Sequence, residues 1–312
     1  MDEQKNLPPE ENETTQAPEN GRRFSKRMYY ILVAIFSTAF LLSAIYVCSY
    51  FWQTESAAQE YDKLEDIYLQ GDQQVTTPLP SGIPGVNPTI PTAPTMLPSL
   101  RPIYEMNNDT VGYLYFPDGP SISYPVMQSP YDEDFYLYHK FDKTPNGDVP
   151  IGCPFVDADC DVFTPSDNVI ICGHYLKSGG MFAPLTQYQD YNFWKNHQYF
   201  SFDTLYEKHT YQIFAVFITA ALQTLEDGTP YGYPFHTQVD FESEEAFDQN
   251  IADVKGAAFD TGGYCGWSCV TTDIVPQYGD KLLTLYTCIS SIHNPYTGER
   301  DGRLVVMAVR VD

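Results

Sequence analysis

Lys281-Leu-Leu-Thr-Leu-Tyr-Thr-Cys288 is the stretch on which the fold turns. Its β-branched, leucine and aromatic residues predict a core strand, and it ends on a cysteine. Six further segments share this texture: Val111–Phe116, Ile122–Met127, Asn168–Cys172, Tyr199–Asp203, Thr210–Thr219 and Arg303–Val311. Turn residues bound most of them. One helical pattern interrupts near Glu242–Val254, where Phe247, Ile251 and Val254 share a face. Seven short strands and one late helix predict a mostly β domain, either a closed barrel or a sandwich. The 25 Tyr and 15% aromatic content fit pleated, half-buried surfaces.

Upstream the texture changes. Residues 28–51, MYYILVAIFSTAFLLSAIYVCSYF, carry no charge and as a helix would run about 36 Å, against a hydrocarbon core of about 30 Å. Arg22, Arg23, Lys26 and Arg27 precede the run, and the next basic residue is Lys63. Positive charge collects on cytoplasmic flanks, so the N-terminus is expected inside and the remainder outside. Ser56-Ala57-Ala58 offers a cleavage site, but the run exceeds a signal peptide's apolar stretch, so a retained anchor is preferred. The expected organisation is a cytoplasmic tail over 1–27, a transmembrane anchor over 28–51, a helix and Pro-rich linker over 52–100, and a folded domain over 101–312. Within the third part, Ala57, Tyr61, Leu64 and Tyr68 stand at helical spacing.

The formal net charge is −24. Residues 1–51 hold six of the 41 acids and five of the 17 bases, leaving 35 against 12 beyond. Phosphate contacts need Lys and Arg, so this balance excludes a nucleic-acid partner.

Three residues at strand ends could carry chemistry. Cys288 closes the first stretch quoted. His174 closes Val169-Ile-Ile-Cys-Gly-His174, after a Gly that permits an unusual turn. Arg303 opens the last strand, where desolvating a guanidinium is costly unless something anionic needs it. A lone Cys at the end of an apolar strand has a plainer reading as a buried small hydrophobe. Convergence requires neighbouring strands, which spacing does not establish.

Here the chain resembles a known family. Thr284-Leu-Tyr-Thr-Cys288 is similar to the TLxTC motif of sortases, Gly173-His174 through Met181-Phe182-Ala183-Pro-Leu185 to the segment around their catalytic His, and Arg303-Leu-Val-Val306 to the strand with their essential Arg. Glu105–Tyr113 and Ile122–Gln128 resemble the opening strands of class B sortases. The resemblance covers about residues 100–312. It implies a closed eight-stranded β-barrel with a few short helices behind one transmembrane helix. It also implies a cysteine transpeptidase with no metal or organic cofactor: Cys288 as nucleophile, His174 as general acid and Arg303 as oxyanion stabiliser. The implied partners are sorting-signal peptides of secreted surface proteins, cleaved after Thr, and a cell-wall precursor or pilin amine as acceptor. The catalytic domain would lie outside the membrane. The competing reading is a hydrolytic or catalytically inactive sortase-like surface protein.

The chain departs from the class B pattern in places. Tyr286 stands where Ser is usual, Ile289 where an acid commonly follows the Cys, and the Cys-to-Arg segment is longer than usual. Arg300 is therefore a rival for the oxyanion role; Arg303 is preferred because it begins the apolar strand. The longer segment contains Asn294-Pro-Tyr-Thr-Gly298, which reads as a Pro/Gly turn and also resembles an NPxTx sorting signal. Cys153/Cys160 and Cys265/Cys269 are spaced for local disulfides, and Cys172 reads either as core or as a redox partner of Cys288. His139, His197, His209, His236 and His293 have no recognisable context and are read as solvated or capping.

Overall fold

The computed structural model describes residues 26–74, 94–147, 149–257 and 263–312. The expected cytoplasmic tail, and most of the expected Pro-rich linker, lie outside the described residues. The chain divides into two units, Met1–Ser49 and Tyr50–Asp312.

Helix α1 takes in Lys26–Gln74. In the first unit it carries no charge from Met28 onward, and it is the one described helix long and apolar enough to cross a membrane. From Tyr50 onward its residues belong to the second unit. The anchor and the amphipathic helix expected as separate pieces are thus one element, because no Gly or Pro interrupts residues 26–70. Ala57, Tyr61, Leu64 and Tyr68 are all buried. Tyr61 Oη donates to the Gly152 carbonyl at 2.7 Å, and Tyr68 Oη donates to Asp203 Oδ2 at 2.9 Å. Tyr68 also stacks on Tyr113, ring centroids 4.0 Å apart. Each tyrosine therefore buries an apolar ring and satisfies its hydroxyl, which makes both strong anchors.

The strands are β1 (Thr110–Tyr115), β2 (Ser123–Met127), β3 (Phe155–Val156), β4 (Asn168–Cys172), β5 (Tyr199–Thr204), β6 (Thr210–Ala220), β7 (Gly266–Thr271), β8 (Leu282–His293) and β9 (Arg300–Arg310). Their order is β5-β1-β2-β3-β4-β8-β9-β6-β7, and β5 also pairs with β6. That last pairing closes eight strands into a ring and leaves β7 attached outside it. A closed barrel, not a sandwich, is the architecture, and closure removes exposed strand edges. All seven expected strands are present; β3 and β7 are additional. The late helix is α5, Glu244–Ala252, capped by Ser243, whose Oγ accepts from the Ala246 amide. Three other short helices, α2 (Arg101–Met106), α3 (Phe135–Tyr138) and α4 (Tyr191–Asn196), fill connections.

Period-2 alternation sorts the side chains. Leu283, Leu285, Leu304, Val306 and Ala308 point into the barrel with Leu114, Val126 and Ile170. Leu282, Val305, Met307 and Val309 face outward beneath Phe235, Phe241, Phe247 and Ile251. Helix α1 from Ala57 onward covers a different outer face, with Tyr113, Met127 and Phe155.

Candidate active site

β8 and β9 pair antiparallel, and the register sets Cys288 opposite Arg303. Both follow the outward series, Tyr286 and Cys288 on one strand and Arg303, Val305 and Met307 on the other. Neither ends a strand, as the sequence reading had it. β8 continues to His293, and β9 begins at Arg300, with a register irregularity between Ile289 and His293. The reason is the Asn294–Gly298 segment, which closes a hairpin and carries the ladder past the cysteine. Asn294 N donates to the Glu299 carbonyl at 2.8 Å and Gly298 N to the Asn294 carbonyl at 2.9 Å. Asn294 Oδ1 accepts from the Tyr296 and Thr297 amides. This is an Asx-type turn, and Tyr296 Oη accepts the Glu226 amide at 2.9 Å. The NPYTG stretch is a turn and not a loop held over Cys288.

Cys288 is exposed and Arg303 half-buried. Arg303 Nη1 donates to the Gly302 carbonyl at 3.1 Å, and Arg303 forms none of the ion pairs seen among the described residues. Arg300 stands further along, opposite His293.

His174 reaches the same region from β4. The parallel β4–β8 register ends with Cys172 opposite Tyr286, and Gly173 N donates to the Tyr286 carbonyl at 3.2 Å. His174 follows the end of that ladder by two residues. His174 Nε2 lies 2.7 Å from the Leu137 carbonyl. A carbonyl only accepts, so Nε2 carries the proton and Nδ1 is the nitrogen left for proton transfer. Burial pushes the imidazole below its usual pKa, and the Leu137 bond opposes that shift. Gly152, at φ +60°, makes room for the ring, since a Cβ there would fall 2.7 Å from His174 Cδ2. Gly173 is required for a different reason than the one read from sequence. Its φ is not positive, but a Cβ would strike the Phe182 ring at 2.5 Å.

A cavity of about 550 Å³ opens over Cys288. Cys288, Ile289, Arg300 and Arg303 wall it from the sheet, Tyr175 and Lys177 from the loop after His174, and Thr186 and Gln189 from the 3-10 turn Ala183–Gln189. His174 itself does not line it. Other cavities, including one of about 560 Å³ beside α1, hold no nucleophilic thiol, so chemistry and not size selects this one.

His236 was read as solvated or capping. It lies instead 4.0 Å from Phe235 and 5.9 Å from Tyr286, ring to ring. Burial, and then the Arg303 charge, hold its pKa down to about 4, so it stays neutral beside the guanidinium. Nothing in Pro234-Phe-His236 announces this, because the contact depends on the chain folding back over β8.

Tyr286 fills the outer face where the resembling motif has Ser. Its ring packs edge-on to Phe235 at 5.0 Å. Burial pushes the Cys172 thiol up to about 12. Cys172 is diagonal to Cys288 across β4 and β8, with backbones about 8 Å apart from strand spacing and rise. A disulfide needs Cα atoms within about 7 Å, so Cys172 is a core thiol. Cys153 and Cys160 sit in different core clusters, and Cys265 and Cys269 span about 13 Å of extended chain. All seven cysteines are free thiols. No group of His, Cys, Asp or Glu among the described residues could hold a metal ion.

Thr287, beside the nucleophile candidate, points inward. It is fully buried, and its Oγ1 finds no hydrogen-bond partner among the described residues.

No family model matches the chain. A sortase B of Listeria monocytogenes is 30% identical over 189 residues, which is 61% of this chain and 66% of that protein, just under two thirds. In sequence the chain is similar to a class B sortase. Among solved structures, a Staphylococcus aureus sortase B–substrate complex superposes with a TM-score of 0.63 at 21% identity, covering 83% of this chain and 98% of that one. A Bacillus anthracis sortase B gives 0.60 at 22%, covering 84% and 99%. These likenesses extend the shared fold over 83–84% of the chain. The barrel and the class B kind of the family thus agree with the resemblance carried by the TLxTC and Gly-His segments.

Proposed function

We propose that this protein is a cysteine transpeptidase that cleaves sorting signals of surface proteins after Thr and passes the acyl group to an amine. The observation that carries the reading is the Cys288–Arg303 pairing across β8 and β9, and the position of His174 two residues beyond the end of β4, which pairs with β8, supports it.

In this reading the Cys288 thiol gives its proton to His174 Nδ1, and the thiolate attacks the Thr carbonyl carbon. The carbonyl oxygen takes the negative charge, and Arg303, unopposed by a carboxylate, stabilises it. The C–N bond breaks, His174 delivers a proton from Nδ1 to the departing amine, and a thioester remains. An acceptor amine then attacks the thioester carbon and gives up a proton to His174. The C–S bond breaks, an amide forms and the thiolate returns. Arg303 suits the oxyanion role better than Arg300 because it stands directly across from the sulfur.

Residues 28–51 would hold the enzyme in the cytoplasmic membrane with the tail inside and the barrel outside. The apolar character of α1 there and the flanking Arg and Lys residues support this. A cell-wall precursor or pilin amine would serve as acceptor. The test is ligation of an NPxTx- or LPxTG-type peptide to a small amine by the full-length protein in detergent. The expected result is an amide product that Cys288→Ala and His174→Ala lose. Peptide cleavage with no ligated product at saturating amine would favour a hydrolase instead.

A further inference from the structure

Charge around Cys288 is opposite to that of the rest of the chain. Beyond residue 51 there are 35 acids and only 12 bases, yet three of those bases, Lys177, Arg300 and Arg303, line the one cavity over Cys288. No carboxylate lines it among the described residues. None of the three belongs to any of the ion pairs found among the described residues. The neighbouring acid Asp301 is engaged elsewhere, its Oδ2 accepting the Leu222 amide at 2.9 Å. His236, whose pKa the Arg303 charge helps to lower, adds no counter-charge.

Arg303 has a use in the proposed reaction; Lys177 and Arg300 do not. They reach the cavity from different elements, the loop after His174 and the start of β9. Both are exposed, so neither is held there by packing. Ser290, Ser291 and Gln189 add hydroxyl and amide groups to the same wall. In a chain this acidic, anions are repelled from most of the surface. A local cationic site with hydrogen-bond donors is therefore where one would be attracted and held.

We propose that Lys177 and Arg300 form a carboxylate-binding subsite beside Cys288. The inference rests on the transpeptidase reading and names its substrate class. The carboxylate has two possible sources. One is an acidic side chain next to the scissile Thr of the sorting peptide. The other is a carboxylate on the carbon that bears the acceptor amine.

The test uses the full-length protein in detergent at low salt and has two arms. In the first, NPxTx-type peptides differ only by Asp or Asn on either side of the Thr, and the rate of thioester formation is compared. In the second, glycine competes with glycinamide for the thioester formed from the Asn peptide. The expected preference for the carboxylate partner in at least one arm is roughly fivefold to tenfold, the size of two partly solvated charge contacts. It should fall to parity in Lys177→Gln/Arg300→Gln, and also at about 0.5 M salt, where screening acts within a few ångströms. Lys195→Gln, a surface lysine of α4 away from the cavity, should leave the ratio as it is. Preference in the first arm identifies the sorting peptide as the source, and in the second the acceptor. Equal rates in both arms, with thioester forming on the Asn peptide, would overturn the subsite and leave the transpeptidase standing. No thioester with any peptide would remove both.

Discussion

Cys288 and Arg303 face each other across the β8–β9 ladder, the one exposed and the other half-buried, on the outer surface of a closed barrel. A fixed guanidinium opposite a sulfur can meet negative charge that develops on an oxygen bonded to the attacked carbon. Replacing Arg303 with Ala should lower the rate of thioester formation about 100- to 1,000-fold, as for loss of one preorganised donor. Arg303→Lys should recover little of it, because the planar fork is lost. Arg300→Ala should cost less than tenfold with a neutral peptide. Single-turnover acylation rates distinguish the two arginines.

Gly152 shapes the histidine's position without chemistry of its own. A methyl group there would press on His174 at 2.7 Å and occupy a positive-φ backbone. Gly152→Ala should destabilise the fold by about 1–3 kcal/mol and lower ligation more than tenfold. Gly179→Ala also has positive φ, but its surroundings are open. It should show the strain cost without the loss of ligation, and thermal melts paired with ligation rates make the comparison.

Asp203 gives a pH signature. Burial raises its carboxyl pKa from 3.8 to about 6, with the Tyr68 hydroxyl bond opposing the shift. The folded state therefore holds a proton that the unfolded chain releases, so stability falls as pH rises from about 4 to 6 and levels off above. The loss is on the order of 2–3 kcal/mol. Because buried His174 and His236 act in the opposite direction below about 6.5, the measurable quantity is a difference. Denaturant midpoints of wild type minus Asp203→Asn should decline across that window, and a flat difference would contradict the assignment.

Leu64 is 1% exposed and sits between the two tyrosine anchors of α1. Leu64→Ala should cost about 2–5 kcal/mol. Thr287→Val removes a buried hydroxyl with no partner among the described residues and should raise stability by about 1 kcal/mol. Equilibrium unfolding of both variants tests whether α1 from Tyr50 onward is part of the barrel's cooperative unit.

Much of the fold was legible in the sequence because most ring strands are long and carry β-branched runs. β3 has only two residues and no period to detect. β7 lies outside the ring, and Trp267 and Cys269 are both partly exposed, so its alternation is weak. Cys288, His174 and Arg303 were found through motif resemblance and residue type. Their convergence was not, because it depends on the long-range β4–β8 and β8–β9 pairings. The ends of β8 and β9 were misplaced because Ser290, Ser291 and Asp301 do not look like strand residues. His236, Lys177 and Gly152 entered only when the chain was folded, since each acts through a neighbour distant in sequence.

Whether Cys288 carries the acyl group is tested by mass spectrometry of the full-length protein after mixing with NPxTx- and LPxTG-type peptides, without acceptor amine. The expected result is a mass increase equal to the acyl fragment ending in Thr, mapped to Cys288, released by hydroxylamine and missing in Cys288→Ala. An adduct on another cysteine, or peptide turnover that survives Cys288→Ala, would contradict it.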